Sequence, residues 1–277
     1  MNSPKDINKK MEFSIRALMR RALIRFLRVQ MRKANWITIE PIAHRGLHHA
    51  GEIPENSLLA FEKAIEANFP IEFDVQLTKD KQLIVFHDDD LLRLTGREGL
   101  VSNFTWAEIK DLSLFGTQQK IPLLSEVLEF VRGRVPLLIE LKSLKQYGVM
   151  EPLVMELLGT YEGDFAIQSF NPKTVYWFKK NAPEVRRGYL SGPMDDEDLT
   201  PPTRFFLSNL GPLPVIQPDF IGYDKKGLNH KIIHLIKNYS HIPVIAWTIK
   251  AREEEEEALQ LADNIIFEGF QPFHGRR

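Results

Sequence analysis

The stretch IEFDVQLTKDKQLIVFH, residues 71–87, contains two apolar runs joined by a short polar connection. The runs, Ile71–Val75 and Leu83–His87, have the composition of strands. Their connection is too short for the helix that joins parallel strands, but its length suits a hairpin. We therefore predict that the second run folds back beside the first as an extra strand.

Outside this hairpin, short apolar runs alternate with helical patterns, the order expected of repeated β-α units. With Ile71–Val75, seven further strand candidates make eight: Ile37–His44, Pro136–Leu141, Phe165–Ser169, Gly188–Ser191, Asp219–Tyr223, Val244–Thr248 and Asn264–Glu268. The predicted helices are Ser57–Asn68, Ser125–Val131, Gly148–Leu158, Pro172–Asn181, Leu228–Tyr239 and Arg252–Leu261. The sequence therefore predicts an α/β fold, a (β/α)8 TIM barrel with an extra hairpin strand after strand 2.

Two segments are longer than a minimal barrel requires. Residues 88–135 have room for two helices, one of which begins at a Thr-x-x-Glu capping box near Thr105. Residues 192–218 are rich in proline, and we expect a long loop there, of the kind that is often functional.

The N-terminal segment differs in charge from the rest of the chain. Residues 1–40 carry ten basic side chains and three acidic ones, although the whole chain of 277 residues has a net charge of −1. On a helix, residues 11–32 would form an apolar stripe beside four arginines, Arg21, Arg25, Arg28 and Arg32. We predict a basic amphipathic segment, 1–36, followed by a barrel domain, 37–277. The pattern allows two roles for this helix: contact with an anionic membrane through residues 11–33, or packing across the barrel's N-terminal end.

Overall composition excludes several classes of protein. The near-zero charge balance gives no basis for nucleic acid binding. The absence of cysteine excludes disulfides and thiolate chemistry, and no apolar run approaches the roughly 18–20 residues of a membrane span. We expect a cytoplasmic protein, peripheral on the inner face of the membrane if the helix binds lipid.

Residues that can do chemistry fall at the predicted strand ends, where TIM barrels carry their active sites. They are His44 and Arg45 after the first strand, Glu72 and Asp74 on the second, His87 on the extra strand, and Glu140 and Lys142 on the next. Because residues i and i+2 of a strand point to the same side, the carboxylates are expected to converge.

Three converging carboxylates require a compensating charge, and oxygen-only ligands favour one hard divalent cation, Mg²⁺ or Ca²⁺. Two nearby histidines could act as general base and general acid. Arg45 and Lys142 add positive charge that could orient a phosphate.

The order of these residues resembles the glycerophosphodiester phosphodiesterase family, whose fold is a barrel like that of phosphatidylinositol-specific phospholipase C. The resemblance runs from about Ile42 to Phe270 and rests on seven motifs: His44-Arg45-Gly46, Pro54-Glu55-Asn56-Ser57, Glu72-x-Asp74, His87-Asp88, Glu140-x-Lys142, Gln168-Ser169-Phe170 and Trp247-Thr248. It implies metal-dependent cleavage of a glycerophosphodiester to sn-glycerol 3-phosphate and an alcohol.

The same resemblance implies a role for each site residue. His44 and His87 would be the acid–base pair, Glu72, Asp74 and Glu140 the metal ligands, and Arg45 and Lys142 the phosphate contacts. The chain departs from the family near its C-terminus, where Ile265-Ile266-Phe267-Glu268 replaces the usual Ile-Ile-Thr-Asp.

Other residues allow two interpretations. Asn56 is expected to position the phosphate or a metal-bound water. Phe170 and Trp247 would form an apolar wall against the substrate or would simply pack the barrel. Two alternative functions also stay open: lysophospholipase-D-like activity on lysolipids at a membrane surface, and a non-catalytic scaffold that binds phosphate or lipid.

Overall fold

A computed structural model describes residues 36–49, 51–143, 147–194 and 199–273 of the chain. The amphipathic helix predicted at residues 11–32 lies outside these ranges. Every helix within them is too short or too polar to span a bilayer.

Eight parallel strands close into a barrel, because the first of them pairs with both the second and the last. The ring consists of β1 (Ile42–Ala43), β2 (Ile71–Leu77), β4 (Leu137–Leu141), β5 (Phe165–Ser169), β6 (Arg186–Ser191), β7 (Phe220–Asp224), β8 (Val244–Ile249) and β9 (Asn264–Phe267). The remaining strand, β3 (Leu83–Val85), pairs antiparallel with β2 outside the ring. The predicted TIM barrel and its hairpin are confirmed.

Helices connect most of the strands. They are α1 (Leu58–Glu66), α2 (Leu92–Thr95), α3 (Trp106–Ile109), α4 (Leu124–Val131), α5 (Met150–Leu158), α6 (Pro172–Asn181), α7 (Pro201–Ser208), α8 (Leu213–Ile216), α9 (Lys231–Tyr239) and α10 (Arg252–Leu259). The predicted capping box is present at α3, where the Thr105 amide donates to the Glu108 carboxylate at 2.7 Å.

Strand alternation separates an apolar barrel floor from a polar mouth. Ile42, Leu138 and Ile266 belong to an apolar cluster that also contains Ala166, Phe220 and Ile245. Two residues further along three of these strands come His44, Glu140 and Glu268. Since side chains two residues apart share a face, the floor residues set the direction of the polar groups above them.

The first strand is shorter than predicted. Residues 36–38 form one turn of 3₁₀ helix, and only Ile42 and Ala43 join the sheet. The Asn264 amide donates to the carbonyls of Ile37 and Glu40, at 2.7 Å each, which gives this segment hydrogen bonds other than those of a strand. The prediction of a strand over Ile37–His44 was therefore wrong in its first half.

The segment predicted as a long loop at residues 192–218 contains two helices, α7 and α8, in its described part. Each carries proline at its first or second position, where the missing amide proton costs nothing. Prolines at these positions begin helices, although in the sequence they favour a loop.

Candidate active site

Three buried carboxylates meet at the C-terminal mouth of the barrel. Glu72, Asp74 and Glu140 are at most 7% exposed, and one oxygen of each lies within 4.8 Å of the others. The register of β2 and β4 places Asp74 directly beside Glu140. Burial, with the charges of Asp74 and Glu140, raises the pKa of Glu72 well above its usual range. Such oxygen donors fit a hard divalent cation, which would also remove their mutual repulsion.

Lys142 partly neutralises this cluster. Its ammonium lies 3.2 Å from Asp74 and 3.0 Å from Glu140. Burial lowers the pKa of Lys142, but the two carboxylates outweigh it and hold that pKa above its usual value. Burial also raises the pKa of Asp74, yet the charge of Lys142 and other nearby cations lowers it overall. Lys142 and Asp74 therefore form a charged pair.

His44 is oriented by a carboxylate from the last strand. Its Nδ1 lies 2.5 Å from an oxygen of Glu268, and its Nε2 lies 4.0 Å from Glu72. Burial lowers the pKa of His44 to about 4, while the hydrogen bond to Glu268 acts in the opposite direction. The neutral imidazole then donates from Nδ1 and keeps Nε2 as an acceptor. Glu268 also contacts Lys250 at 2.5 Å.

His87 enters the site because β3 folds back along β2. The Phe86 amide donates to the Asp74 carbonyl at 3.0 Å, so the next residue lies beside the carboxylates. The Gln76 amide lies within 2.9 Å of the carbonyls of Phe86, His87 and Asp88 and holds the strand end. The Nδ1 of His87 is 2.7 Å from the Asp88 carboxylate, which again leaves Nε2 for proton transfer.

Arg93, on α2, connects the surroundings of His87 with those of Arg45. Its guanidinium contacts both oxygens of Asp88, at 2.6 and 2.9 Å, and both oxygens of Glu55, at 2.8 and 2.7 Å. Glu55 in turn accepts from Arg45 at 2.6 Å. The hydrogen bonds that Arg93 donates to Glu55 and Asp88 raise its pKa above the usual value. A charged network thus supports two separate site residues.

Arg45 and Gly46 form a tight turn after β1, and both have positive φ. A Cβ on Gly46 would lie 2.8 Å from the backbone of Ala60, so only glycine fits there. The turn directs the Arg45 amide to Glu72 at 3.1 Å and its guanidinium to within 3.4 Å of Asp74.

Asn56 lies beside Asp74. Its amide donates to the Asp74 carboxylate at 2.9 Å and accepts from the Asp74 amide at 3.4 Å. The residue is 1% exposed and has a positive φ. These contacts orient a carboxylate, and the role of Asn56 in positioning the phosphate or a metal-bound water stays a prediction.

Several of these groups line a cleft of about 610 Å³. Its lining includes a polar group, here called the polar wall: His44, Arg45, Glu72, His87, Glu140 and Lys142. It also includes an apolar group, here called the apolar wall: Phe170, Leu190, Met194, Leu199, Leu207 and Trp247. Phe170 and Trp247 form an edge-to-face pair with ring centroids 5.5 Å apart.

Of the ten predicted site residues, eight line this cleft. The other two, Asp74 and Asn56, contact each other, and Asp74 also contacts Lys142 of the lining. Sequence reasoning missed Arg93 and did not assign a contact to Glu268. Arg93 follows the His87-Asp88 motif closely enough to suggest a local ion pair, but nothing in the sequence links it to Glu55. For Glu268, the signal was a carboxylate at a strand end.

Comparison with known proteins identifies relatives of this chain. The model of the glycerophosphoryl diester phosphodiesterase family matches residues 44–265. A glycerophosphodiester phosphodiesterase of Caldanaerobacter subterraneus is 39% identical over 160 residues, which cover 54% of this chain and 65% of that protein. The chain thus spans about 65% of the length of such bacterial relatives.

Two further relatives have names that specify a ligand or a substrate class. A phosphodiesterase structure from Oleispira antarctica, in complex with the product sn-glycerol-3-phosphate, has a TM-score of 0.69 and 25% identity, covering 83% of this chain and 92% of that one. A lysophospholipase D of Homo sapiens is 33% identical over 146 residues, which cover 48% of this chain and 45% of that protein.

Proposed function

This chain belongs to the glycerophosphoryl diester phosphodiesterase family, and we propose that it hydrolyses glycerophosphodiesters to sn-glycerol 3-phosphate and an alcohol. The observation that carries the proposal is that two histidines line the same cleft as Glu72 and Glu140, which form a cluster of three buried carboxylates with Asp74. A purely phosphate-binding scaffold would need neither of the proton-transfer groups.

We assign Glu72, Asp74 and Glu140 as the ligands of one divalent cation, Mg²⁺ or Ca²⁺. When bound, the cation would neutralise phosphoryl oxygens and lower the pKa of an attacking hydroxyl. Asn56 would hold Asp74 in place through its two hydrogen bonds. Lys142 and Arg45 would orient the phosphate.

His44 would act as the general base. Its lowered pKa keeps it neutral near pH 7, and its hydrogen bond to Glu268 leaves Nε2 ready to accept a proton. The proton would come from the nucleophile, either water or the glycerol 2-hydroxyl acting through a cyclic phosphate. His87, supported by Asp88, would protonate the leaving alkoxide.

The test is release of glycerol 3-phosphate from glycerophosphocholine and glycerophosphoglycerol, and of its acylated form from a lysophospholipid, each with Mg²⁺ or Ca²⁺. We expect turnover of at least one substrate by the wild-type chain and little by His87→Ala. No release from any substrate would favour the scaffold and contradict the proposal.

The N-terminal segment carries a separate proposal. We keep the division into 1–36 and 37–277 and propose that residues 11–33 bind an anionic membrane, which would place the protein on the inner face as a peripheral cytoplasmic enzyme. The charge pattern supports this. Liposome co-sedimentation should show stronger binding for the full chain than for a chain that begins at Asn35. Equal binding would contradict the membrane role.

A further inference from the structure

A second group of possible metal ligands lies close to the three buried carboxylates. His44, His48 and Glu268 each offer one ligand atom, and these atoms lie within 4.8 Å of one another. Among the described residues, the three carboxylates form the other group of this kind. The second group brings two imidazole nitrogens and one carboxylate oxygen, whereas the first brings carboxylate oxygens alone. The two groups therefore suit different kinds of cation.

Closure of the barrel brings two of these ligands together. Ala43 on β1 pairs with Phe267 on β9, so the residues that follow these strands, His44 and Glu268, lie side by side. The His44 amide donates to the Phe267 carbonyl at 2.9 Å, and the Glu268 amide donates to the Ile249 carbonyl at 3.0 Å. Backbone hydrogen bonds of the barrel thus hold both side chains at their positions.

His48 lies in the segment that follows β1. Backbone hydrogen bonds flank it, from the amides of Leu47 and His49 to carbonyls further along the chain, at 3.0 and 2.9 Å. The Nε2 atom of His48 is buried and forms no well-aligned hydrogen bond with any described residue. It lies 3.5 Å from Oε2 of Glu268, the oxygen that His44 also contacts. A buried nitrogen therefore faces this oxygen without a strong hydrogen bond.

The distances between the ligand atoms can accommodate zinc. With zinc–ligand bonds of about 2.0–2.2 Å and tetrahedral angles, neighbouring ligand atoms lie roughly 3.3–3.6 Å apart. His48 and Glu268 already have this spacing, at 3.5 Å. Nδ1 of His44 is 2.5 Å from Oε2 of Glu268, so this pair must separate by about 1 Å when a cation replaces the proton between them. Lys250 contacts the other oxygen, Oε1, and leaves Oε2 for the histidines.

The ligand types separate this group from the three carboxylates. Imidazole nitrogen suits Zn²⁺ and its neighbours in the transition series, whereas carboxylate oxygen alone suits Mg²⁺ and Ca²⁺. Two histidines and one glutamate are a recurring set of zinc ligands, with the fourth position open to water. Excess Mg²⁺ or Ca²⁺ should therefore compete poorly with Zn²⁺ for the two histidines.

We propose that His44, His48 and Glu268 form a second metal site that binds Zn²⁺ and inhibits the enzyme, an inhibition that rests on the hydrolysis proposed above. Zinc at Nδ1 of His44 takes the lone pair of that nitrogen, so the single proton of the neutral ring moves from Nδ1 to Nε2. Nε2, which lies 4.0 Å from Glu72, then carries a hydrogen and cannot accept the proton of the nucleophile.

Calorimetry tests the site without turnover. The full chain, without an affinity tag and in excess Mg²⁺ and Ca²⁺, should bind Zn²⁺. His48→Ala should weaken this binding at least about 100-fold, because loss of a group behind a metal ligand already costs about 10–100-fold. His49→Ala is the matched control, since this exposed histidine belongs to neither group of ligands, and should bind zinc as the wild type does. Equal zinc affinity in the wild type and His48→Ala, or no zinc binding, would overturn the second site.

A second variant guards against misfolding. Glu268→Gln keeps the shape of the side chain but removes its charge, and it should weaken zinc binding at least about tenfold. Melting curves without zinc would show that His48→Ala and Glu268→Gln are folded. Wild-type zinc affinity in a folded Glu268→Gln would contradict the assignment of Glu268 as a ligand.

Inhibition is measured on the best substrate of the panel with its activating cation in excess. Saturating Zn²⁺ should lower the wild-type rate at least about 100-fold, the loss typical when a general base is removed. The zinc concentration that halves the rate should rise at least about 100-fold in His48→Ala, with each rate expressed relative to the same variant without zinc. Equal inhibition of the wild type and His48→Ala would contradict the regulatory role.

The two measurements separate this inference from the proposed function. Zinc that binds the wild type but not His48→Ala, in a chain that hydrolyses no diester, would refute the hydrolase and support the metal site. Hydrolysis by a chain whose zinc binding does not depend on His48 would refute the second site alone. Zinc binding that depends on His48 but leaves the rate unchanged would refute the inhibition.

Discussion

The two walls of the cleft are built in different ways. Each group of the polar wall is held by another charged or polar side chain: His44 by Glu268, His87 by Asp88, and Arg45 by Glu55. In the apolar wall, Phe170 and Trp247 are in ring contact, and Gly222, which has no side chain, leaves room for Leu190 and Trp247. Two backbone carbonyls of α7 accept hydrogen bonds from hydroxyl groups of the barrel. Directional contacts demand particular residues, whereas apolar contact demands only size and shape. A single substitution in the polar wall should therefore lower activity far more than one in the apolar wall.

The largest expected effect is at the two histidines. Changing either His44 or His87 to Ala should lower kcat about 10²–10⁴-fold, because each is proposed to move a proton in the transition state. Steady-state kinetics on the best substrate of the panel would measure this. His49→Ala is a suitable control, since that histidine is exposed outside the cleft. Wild-type turnover in both His44→Ala and His87→Ala would contradict the acid–base assignment.

The second largest effect is expected when the hydrogen bonds of Arg93 to Asp88 and Glu55 are removed. Arg93→Met leaves Asp88 and Glu55 without their bidentate partner, so His87 and Arg45 lose their support together. We expect kcat to fall about 10–100-fold with a smaller change in KM, as is typical when groups behind a site are removed.

Two comparisons isolate this effect from simple destabilisation. Arg93→Lys should recover part of the lost rate, because one charge remains. Arg97→Met, in the same segment, removes a contact with the Phe104 ring and the Glu108 carbonyl and should leave kcat near wild type. Equal losses in Arg93→Met and Arg97→Met would assign both to folding.

Glu268 should have a smaller effect than Arg93, because it supports one histidine. Glu268→Gln can still accept a hydrogen bond from His44 but without charge, and charged acceptors form bonds roughly twice as strong. We expect kcat to fall about tenfold, with most of it restored in Glu268→Asp. Wild-type kcat in Glu268→Gln would show that the carboxylate charge plays no part in orienting His44.

The smallest effect is expected on the apolar wall. Phe170→Leu removes the edge-to-face contact with Trp247, worth about 0.5–1.5 kcal/mol. We expect KM to rise about threefold at unchanged kcat if the ring also touches substrate. Unchanged kinetics with a lower melting temperature would show that the ring only packs the barrel.

The difference between the polar and the apolar wall also explains which parts of the site could be predicted from the sequence. Motifs such as Glu72-x-Asp74 and Glu140-x-Lys142 were predictable because strand alternation fixes which side chains converge. The hairpin was predictable from a connection too short for a helix. These predictions give the barrel and most of the polar wall.

What the sequence could not give depends on contacts between distant segments. The hydrogen bonds from Asn264 to the Ile37 carbonyl and from Arg93 to the Glu55 carboxylate join residues far apart in the chain, so no local pattern predicts them. The apolar wall was foreseen through Phe170 and Trp247 and, less definitely, through the apolar residues of the segment 192–218, because prolines there favour a loop as much as a helix start. The position of Leu207 at the cleft depends on how α7 packs against the barrel.

We propose that the buried carboxylates and the two histidines form the site of a cation-dependent phosphodiesterase. The most direct test is the rate of glycerol 3-phosphate release from glycerophosphocholine by the full chain, measured after EDTA treatment and then against added Mg²⁺ or Ca²⁺. We expect a rate that EDTA abolishes and that one of the two cations restores with saturation. A rate that EDTA does not change, or no release with either cation, would contradict it.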